Sequence, residues 1–168
     1  MIKITLPDGS IKEFAKLSTP MDVAKSISEG FARNVISANF NNITVETTTP
    51  LTTDGSLILY TFNDNAGKKA FWHSSAHVLA EAILSFYPKA KLTIGPAIDT
   101  GFYYDVDLGE EVLSDKDFKQ LENKFIEIAR GKHEFSIRPV SKAAALSLYK
   151  GENNEYKVEL IENLTDGE

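Results

Sequence analysis

The first fourteen residues carry the pattern that most constrains the fold of this chain. Ile2, Ile4 and Leu6 alternate with polar residues, which is the period of a strand with one buried face. Asp8-Gly9 follows as a tight-turn signal, and residues 11–14 can return as a second strand. The chain is therefore predicted to begin with a β-hairpin whose apolar face needs another element to cover it.

The next segment supplies a helix that can cover this hairpin. Pro20 suits the first turn of a helix, and Ser18 or Thr19 can cap it. Asp22 favours the positive end of the helix dipole, and Gly30 is a plausible stop. Further strands are predicted over residues 35–40, 43–45 and 56–62. This order predicts a small α+β domain of the ubiquitin-like β-grasp type, with one helix across a mixed sheet.

The polar, glycine-containing stretch Asn63–Lys69 is typical of a boundary, so we predict domains over 1–62 and 63–168. A long helix is expected from about Ala66 to Tyr87, where Pro88 stops it. The later elements predicted are strands over 91–98, 102–108, 134–140 and 156–161, and helices from Ser114 to Gly131 and from Ser141 to Tyr149. The second domain is thus predicted as α+β, with the long helix against an antiparallel sheet.

Composition excludes several classes of protein. Across 168 residues there are 18 basic and 24 acidic side chains, for a net charge of −6, which disfavours a generic nucleic-acid-coating protein but leaves a local RNA site open. There is no Cys, so disulfides, a thiolate nucleophile and Cys-ligated zinc are excluded within this chain. No apolar run is long enough to span a membrane, and the N-terminus lacks the apolar centre of a signal peptide. A cytoplasmic protein without membrane contact is expected.

Two of the three histidines, His73 and His77, lie four residues apart in the long predicted helix. At that spacing both rings point the same way, with Cβ atoms about 5–6 Å apart. The apolar stripe of this helix comprises Phe71, Val78, Leu79, Ala82, Ile83 and Phe86. The two histidines lie nearly opposite that stripe, among small and apolar residues, which favours the wall of a cleft over a solvated surface.

Three interpretations of the histidine pair remain open from spacing alone. Both rings can be structural side chains that bind backbone groups. They can also belong to a metal site, although zinc usually takes three protein ligands and only His133 or acidic residues such as Asp99, Asp105 and Asp107 could complete it. The third interpretation is a metal-free catalytic pair, because an imidazole with a pKa near 6.5 exchanges protons at neutral pH.

Other candidates are weaker. Residues 95–105 are rich in turn formers and aromatics, which predicts either a packed hairpin or a substrate-facing loop with Asp99 or Tyr104 as a hydrogen-bonding group. Lys157 stands at the start of a predicted strand, where an exposed lysine is usually only solvated. The first domain contains no catalytic constellation.

Several motifs resemble the N-terminal part of bacterial-type threonyl-tRNA synthetases. Ile4–Ser10 and Pro20–Ala24 are similar to their opening TGS domain, which is a β-grasp module. The motifs similar to the editing domain that follows are His73–His77, Ile94–Asp99, Gly101–Leu108 and Tyr156–Val158. The resemblance covers essentially the whole chain, so the domains expected are TGS over 1–62 and the first part of an editing domain over 63–168.

The resemblance implies a function for these motifs. Enzymes of this family join threonine to its tRNA with ATP, and their editing domain hydrolyses wrongly made seryl-tRNA. His73 and His77 correspond to the editing His-x-x-x-His, and Lys157 to a lysine that contacts tRNA or water. Asp99 and Tyr104 correspond to substrate-binding positions, and the expected partner is tRNA(Thr), chiefly its aminoacylated 3′ end.

This chain also departs from the family pattern. It lacks the Cys-x-x-x-His motif that completes the family's editing pocket, and it lacks the aminoacylation core. We therefore expect an incomplete editing domain in a fragment that holds no cofactor or metal. ATP, magnesium, zinc and the contacts of a homodimer are expected in the absent core. Two alternatives follow, namely a non-catalytic tRNA-binding module and a zinc-dependent trans-editing hydrolase of the kind found among alanyl-type relatives.

Overall fold

The computed structural model describes residues 1–133, 135 and 138–165. The chain divides into two compact units, Met1–Trp72 and His73–Glu168. The first unit contains one mixed sheet and two short helices, and the second is mainly helical with two short strand pairs. The predicted α+β class with an N-terminal β-grasp is confirmed. No helix of the described residues has the length and apolar character needed to cross a membrane.

Five strands form the sheet of the first unit. They are β1 (Ile2–Thr5), β2 (Ile11–Phe14), β3 (Val35–Phe40), β4 (Ile43–Val45) and β5 (Gly55–Thr61), in the spatial order β2-β1-β5-β3-β4. β1 pairs with β5 in parallel, and all other pairs are antiparallel. The last strand of the unit is therefore its central strand, which joins the N-terminal hairpin to β3 and β4.

Local capping signals explain the two helices of this unit, α1 (Pro20–Ile27) and α2 (Glu29–Ala32). Thr19, one of the two predicted caps, begins α1, and with Asp22 it forms a capping box that was not predicted from the sequence. The predicted stop at Gly30 is wrong. Ser28 is extended and its side chain accepts from the backbone N–H of Phe31, so α1 ends at Ile27 and Gly30 lies inside α2.

The core of the first unit lies between α1 and the sheet. Its fully buried residues are Ile2, Ile4, Val23, Ala38, Leu51 and Leu57. Ile2 and Ile4 are the alternating positions of the predicted hairpin, so the period-two pattern placed them on the buried face.

The long helix α3 (Asn65–Phe86) is confirmed within one residue at each end. It ends just before Tyr87-Pro88, because the residue preceding a proline is disfavoured in the helical region. Its buried side is not the predicted stripe throughout. Phe71 and Phe86 are exposed, whereas the small residues Ser75, Ala76 and Ala80 are buried together with Ala82 and Ile83.

A broken hairpin follows α3. Its strands are β6 (Lys91–Leu92), β7 (Ala97–Ile98), β8 (Gly101–Phe102) and β9 (Val106–Asp107), with β6 paired to β9 and β7 to β8. Two continuous strands were expected, but Pro96 has no N–H to donate to a ladder and interrupts the first of them. Backbone hydrogen bonds between Thr93 and Asp105, and between Asp105 and Ile94, continue the pairing between the two strand pairs.

Three helices complete the second unit, α4 (Asp115–Gly131), α5 (Lys142–Gly151) and α6 (Glu155–Glu162). Ser114 and Ser141, with which the two predicted helices begin, are the N-caps of α4 and α5. The strand predicted over 156–161 is wrong, because the Asn154 side chain accepts from the backbone N–H of Lys157 and begins a helix there. The strand predicted over 134–140 lies partly outside the described residues, and residues 135 and 138–140 have no regular structure.

Candidate functional site

Helix α3 holds His73 and His77 one turn apart with their rings in contact. The Nε2 atoms are 3.2 Å apart, and the ring centroids are 4.6 Å apart with the ring planes at 85°. This geometry allows one ring to donate to the other, the direction being set by the tautomers. Both residues are exposed, so the pair lies at the surface of the unit rather than in its core, although the His77 ring is partly desolvated.

His77 faces a cleft of 510 Å³ within the second unit. The polar groups that line this cleft with His77 include Tyr104, Tyr149, Asn154 and Lys157. These residues come from α3, from the loop between β8 and β9, from α5 and from the start of α6. Residues 27 to 80 positions away from His77 in sequence are thus brought to one side of its ring.

Burial displaces the pKa values of three titratable groups of the cleft. Burial lowers the pKa of His77, and the neighbouring His73 and Lys157 lower it further. Burial also lowers the pKa of the Lys157 ammonium. Burial raises the pKa of the Tyr104 hydroxyl, and Tyr149 adds to the effect. At neutral pH His77 is therefore a neutral imidazole that can accept a proton, and Lys157 is an incompletely solvated cation that favours an anion nearby.

Tyr104 reaches the cleft because Gly95 leaves room for its ring. A Cβ atom on Gly95 would overlap the Cδ2 and Cε2 atoms of that ring. Gly95 follows Ile94 and Tyr104 precedes Asp105, and the backbone hydrogen bond from Asp105 to Ile94 places the two residues opposite each other across the hairpin. The glycine thus has a packing role at this position.

The structure brings together four of the five predicted site residues. His73 contacts His77, and His77, Tyr104 and Lys157 line the cleft. Asp99 lies apart from them, exposed at the turn between β7 and β8 and not among the residues that line the cleft.

Sequence reasoning missed Tyr149 and Asn154, which also line the cleft. Asn154 is 8% exposed and its side chain bonds both to Lys157 and to β6. Its signal was its type and position, an Asn immediately before Glu155, which favours a helix start. The segment that follows alternates apolar and polar residues, which predicts a strand and outweighs this signal in the sequence.

The described residues do not present a zinc site. Among them, no group of three or more His, Asp or Glu side chains is arranged to hold a metal ion. His73 and His77 supply two ligands, one fewer than zinc usually takes from a protein. Asp107, a candidate third ligand, is engaged by the Tyr156 hydroxyl and the Gly109 N–H.

Comparison with known proteins finds similarity along both units. Residues 2–61 match the TGS domain. Over 167 residues, or 99% of this chain, the sequence is 68% identical to "Threonine--tRNA ligase" of Flavobacterium psychrophilum and 66% identical to that of Flavobacterium johnsoniae. It is 46% identical over its full length to the enzyme of the same name from Clostridioides difficile. The chain spans about a quarter (26%) of the length of each of these relatives.

Proposed function

Because the chain carries a TGS domain and is similar throughout to the N-terminal part of threonine--tRNA ligases, we propose that it serves such a ligase by editing. Its substrate in this proposal is seryl-tRNA(Thr), and its reaction is hydrolysis of the aminoacyl ester. The observation that carries the proposal is the cleft, which His77 and Lys157 both line and in which the His77 ring also contacts His73.

The chemistry follows from the three side chains. Neutral His77 takes a proton from a water molecule, whose oxygen attacks the ester carbonyl carbon. The Lys157 ammonium stabilises the negative charge that develops on the carbonyl oxygen. The ester bond then breaks, and the ribose oxygen leaves with a proton returned from the imidazole pair. The products are serine and tRNA with a free 3′-terminal ribose.

A separate hydrolytic site is needed because a binding pocket can discriminate only weakly between similar amino acids. Threonine and serine differ by one methyl group, which is worth only about 1–3 kcal/mol of discrimination in a binding pocket. A ligase that relies on its synthetic site alone therefore makes seryl-tRNA at an appreciable rate. Hydrolysis at a separate site removes it.

The proposal also assigns partners. The 3′ end of tRNA(Thr) enters the cleft, and the compartment is the cytoplasm, where tRNA is charged. ATP, magnesium, zinc and the contacts of a homodimer belong to parts of the ligase other than this chain. No step of the editing reaction proposed here uses a metal ion.

Deacylation of seryl-tRNA(Thr) by this chain tests the proposal. His77→Ala and His73→Ala are each expected to lower the rate about a hundredfold, the usual scale for a positioned acid–base group. His133→Ala is the matched control, since this exposed third histidine is not among the residues that line the cleft. Unchanged rates in the two cleft variants would refute the assignment.

Two other outcomes would favour the alternatives. Retained tRNA binding with a wild-type rate equal to spontaneous hydrolysis would indicate a non-catalytic tRNA-binding module. Stoichiometric zinc in the purified chain, lost in His73→Ala, would indicate a zinc-dependent hydrolase whose further ligands come from outside the described residues.

A further inference from the structure

Lys157 depends on the start of helix α6 for its place in the cleft. It lies in the first turn of that helix and is partly buried. A lysine side chain has four rotatable bonds, so its ammonium can move about its Cα, and the position of the backbone sets which groups it can reach. The contacts that fix the helix start therefore bear on the chemistry proposed above.

The three residues immediately before Lys157, here called the α6 anchor (Asn154, Glu155 and Tyr156), all bind the β6–β9 strand pair. Asn154 Nδ2 donates to the Leu92 carbonyl oxygen at 3.2 Å, and Tyr156 Oη donates to Asp107 Oδ2 at 2.9 Å. Glu155 forms an ion pair with Lys91 at 2.8 Å. Lys91 and Asp107 are direct partners in the register of β6 and β9, so the anchor holds both strands at one point.

The three contacts differ in strength. The Lys91 and Glu155 side chains are 33% and 63% exposed, and an ion pair in such surroundings contributes little. Asn154 is 8% exposed, so its hydrogen bonds are shielded from water. Tyr156 is also partly buried, and its bond is to a carboxylate, which makes it the second strong contact.

Asn154 connects the strand directly to the lysine. While its Nδ2 donates to Leu92, its Oδ1 accepts from the backbone N–H of Lys157 at 3.1 Å. One buried amide therefore connects Leu92 and Lys157, two residues that line the cleft. Of the three anchor contacts described above, that of Asn154 is the one that continues to Lys157.

We propose that Asn154, supported by Tyr156, is a positioning residue that holds Lys157 in the editing cleft. The catalytic consequence rests on the function proposed above, whereas the positioning itself is a property of the fold. Loss of the Asn154–Leu92 bond frees the start of α6, and the Lys157 ammonium then moves to solvent.

The pH titration of Lys157 tests this proposal in the full chain. With ¹³C-labelled lysine, the Cε signal of Lys157 is identified by its disappearance in Lys157→Arg. Asn154→Ser keeps an oxygen that can cap the helix but removes the donor to Leu92. Tyr156→Phe removes only the hydroxyl and is the second variant if Asn154→Ser does not fold. Asn163→Ser, at the exposed far end of α6, is the matched control.

In Asn154→Ser and Tyr156→Phe the pKa of Lys157 is expected to rise from its lowered value toward the ordinary 10.5, while Asn163→Ser reproduces the wild-type curve. A Lys157 curve that overlays the wild type in the variants that fold would overturn the proposal, as would an equal rise in Asn163→Ser. Because the titration does not depend on catalysis, failure of the deacylation assay leaves this result interpretable. If deacylation is observed, the rate in Asn154→Ser falls on the order of tenfold, as expected for a misplaced group.

Discussion

The three influences on the pKa of His77 all lower it and so favour the neutral imidazole. Burial, His73 and Lys157 each lower its pKa, so the ring is ready to accept a proton at neutral pH. His73 and Lys157 both lower the proton affinity of His77, and they are also the two residues proposed to act with it.

The lowered pKa of His77 predicts a dependence of stability on pH. Between the folded pKa and 6.5 the unfolded chain binds a proton at His77 that the folded chain does not. The contribution of this residue to the free energy of unfolding is therefore complete above 6.5 and decreases as the pH falls toward the folded pKa.

Urea unfolding at about pH 7.5 and about pH 5.5 measures this contribution. Wild type is expected to lose more free energy of unfolding than His77→Gln on going to the lower pH, because only wild type carries this linked proton. Equal losses in the two proteins would show that His77 titrates alike in the folded and unfolded states.

Gly95 offers a second test at the scale of single residues. Gly95→Ala places a methyl group against the Tyr104 ring, which must then move from the cleft. Deacylation is expected to fall on the order of tenfold, as for displacement of a positioned group by a fraction of an ångström. Gly151→Ala, where the added methyl meets nothing within 4 Å, is the control and should retain activity. Equal deacylation rates in both variants would show that Tyr104 does not contribute to the site.

At the scale of elements, capping determines where the helices begin. Thr19→Ala removes the oxygen that accepts from the Asp22 N–H and one half of the capping box. The expected cost is about 1 kcal/mol in the free energy of unfolding, measured with urea. Thr52→Ala, in an exposed loop of the same unit, should change it little. A cost in Thr52→Ala that matches the one in Thr19→Ala would refute the capping account.

The starts of the helices also show how much of the fold the sequence could predict. Thr19, Ser114 and Ser141 are caps whose partners lie within three residues, so local rules located them. Helix α6 was mistaken for a strand because Tyr156, Val158 and Leu160 alternate with polar residues. The alternation is outweighed by Asn154, whose second bond, to Leu92, lies 62 residues away and could not be inferred from local pattern.

The candidate site was predictable to a similar extent. The i, i+4 spacing of His73 and His77 on a predicted helix was enough to place the two rings side by side. Lys157 was assigned to the same site only through the family resemblance, because nothing in the sequence around it relates it to α3. Tyr149 was not predicted, because its place in the cleft depends on the way α5 packs, which is a property of the whole unit.

At the scale of the whole molecule, the first unit contains everything needed for its own core. All its fully buried core residues lie between Ile2 and Leu57, and β5 joins β1 to β3 at the centre of the sheet. Residues 1–64 are therefore expected to fold alone with dispersed amide NMR signals and cooperative unfolding. Residues 1–54, which lack β5, are the control and should remain unfolded. A disordered spectrum for 1–64 would contradict this independence.

The most direct measurement is NMR mapping of the second unit with a seryl-adenosine analogue whose ester is replaced by a stable amide. Signals of His73, His77, Tyr104 and Lys157 are expected to shift together on titration, and His77→Ala is expected to weaken binding. The corresponding threonyl analogue should bind less tightly, as editing requires. Shifts that are absent, or that lie only outside the cleft, would contradict the claim that this cleft receives the seryl end of tRNA.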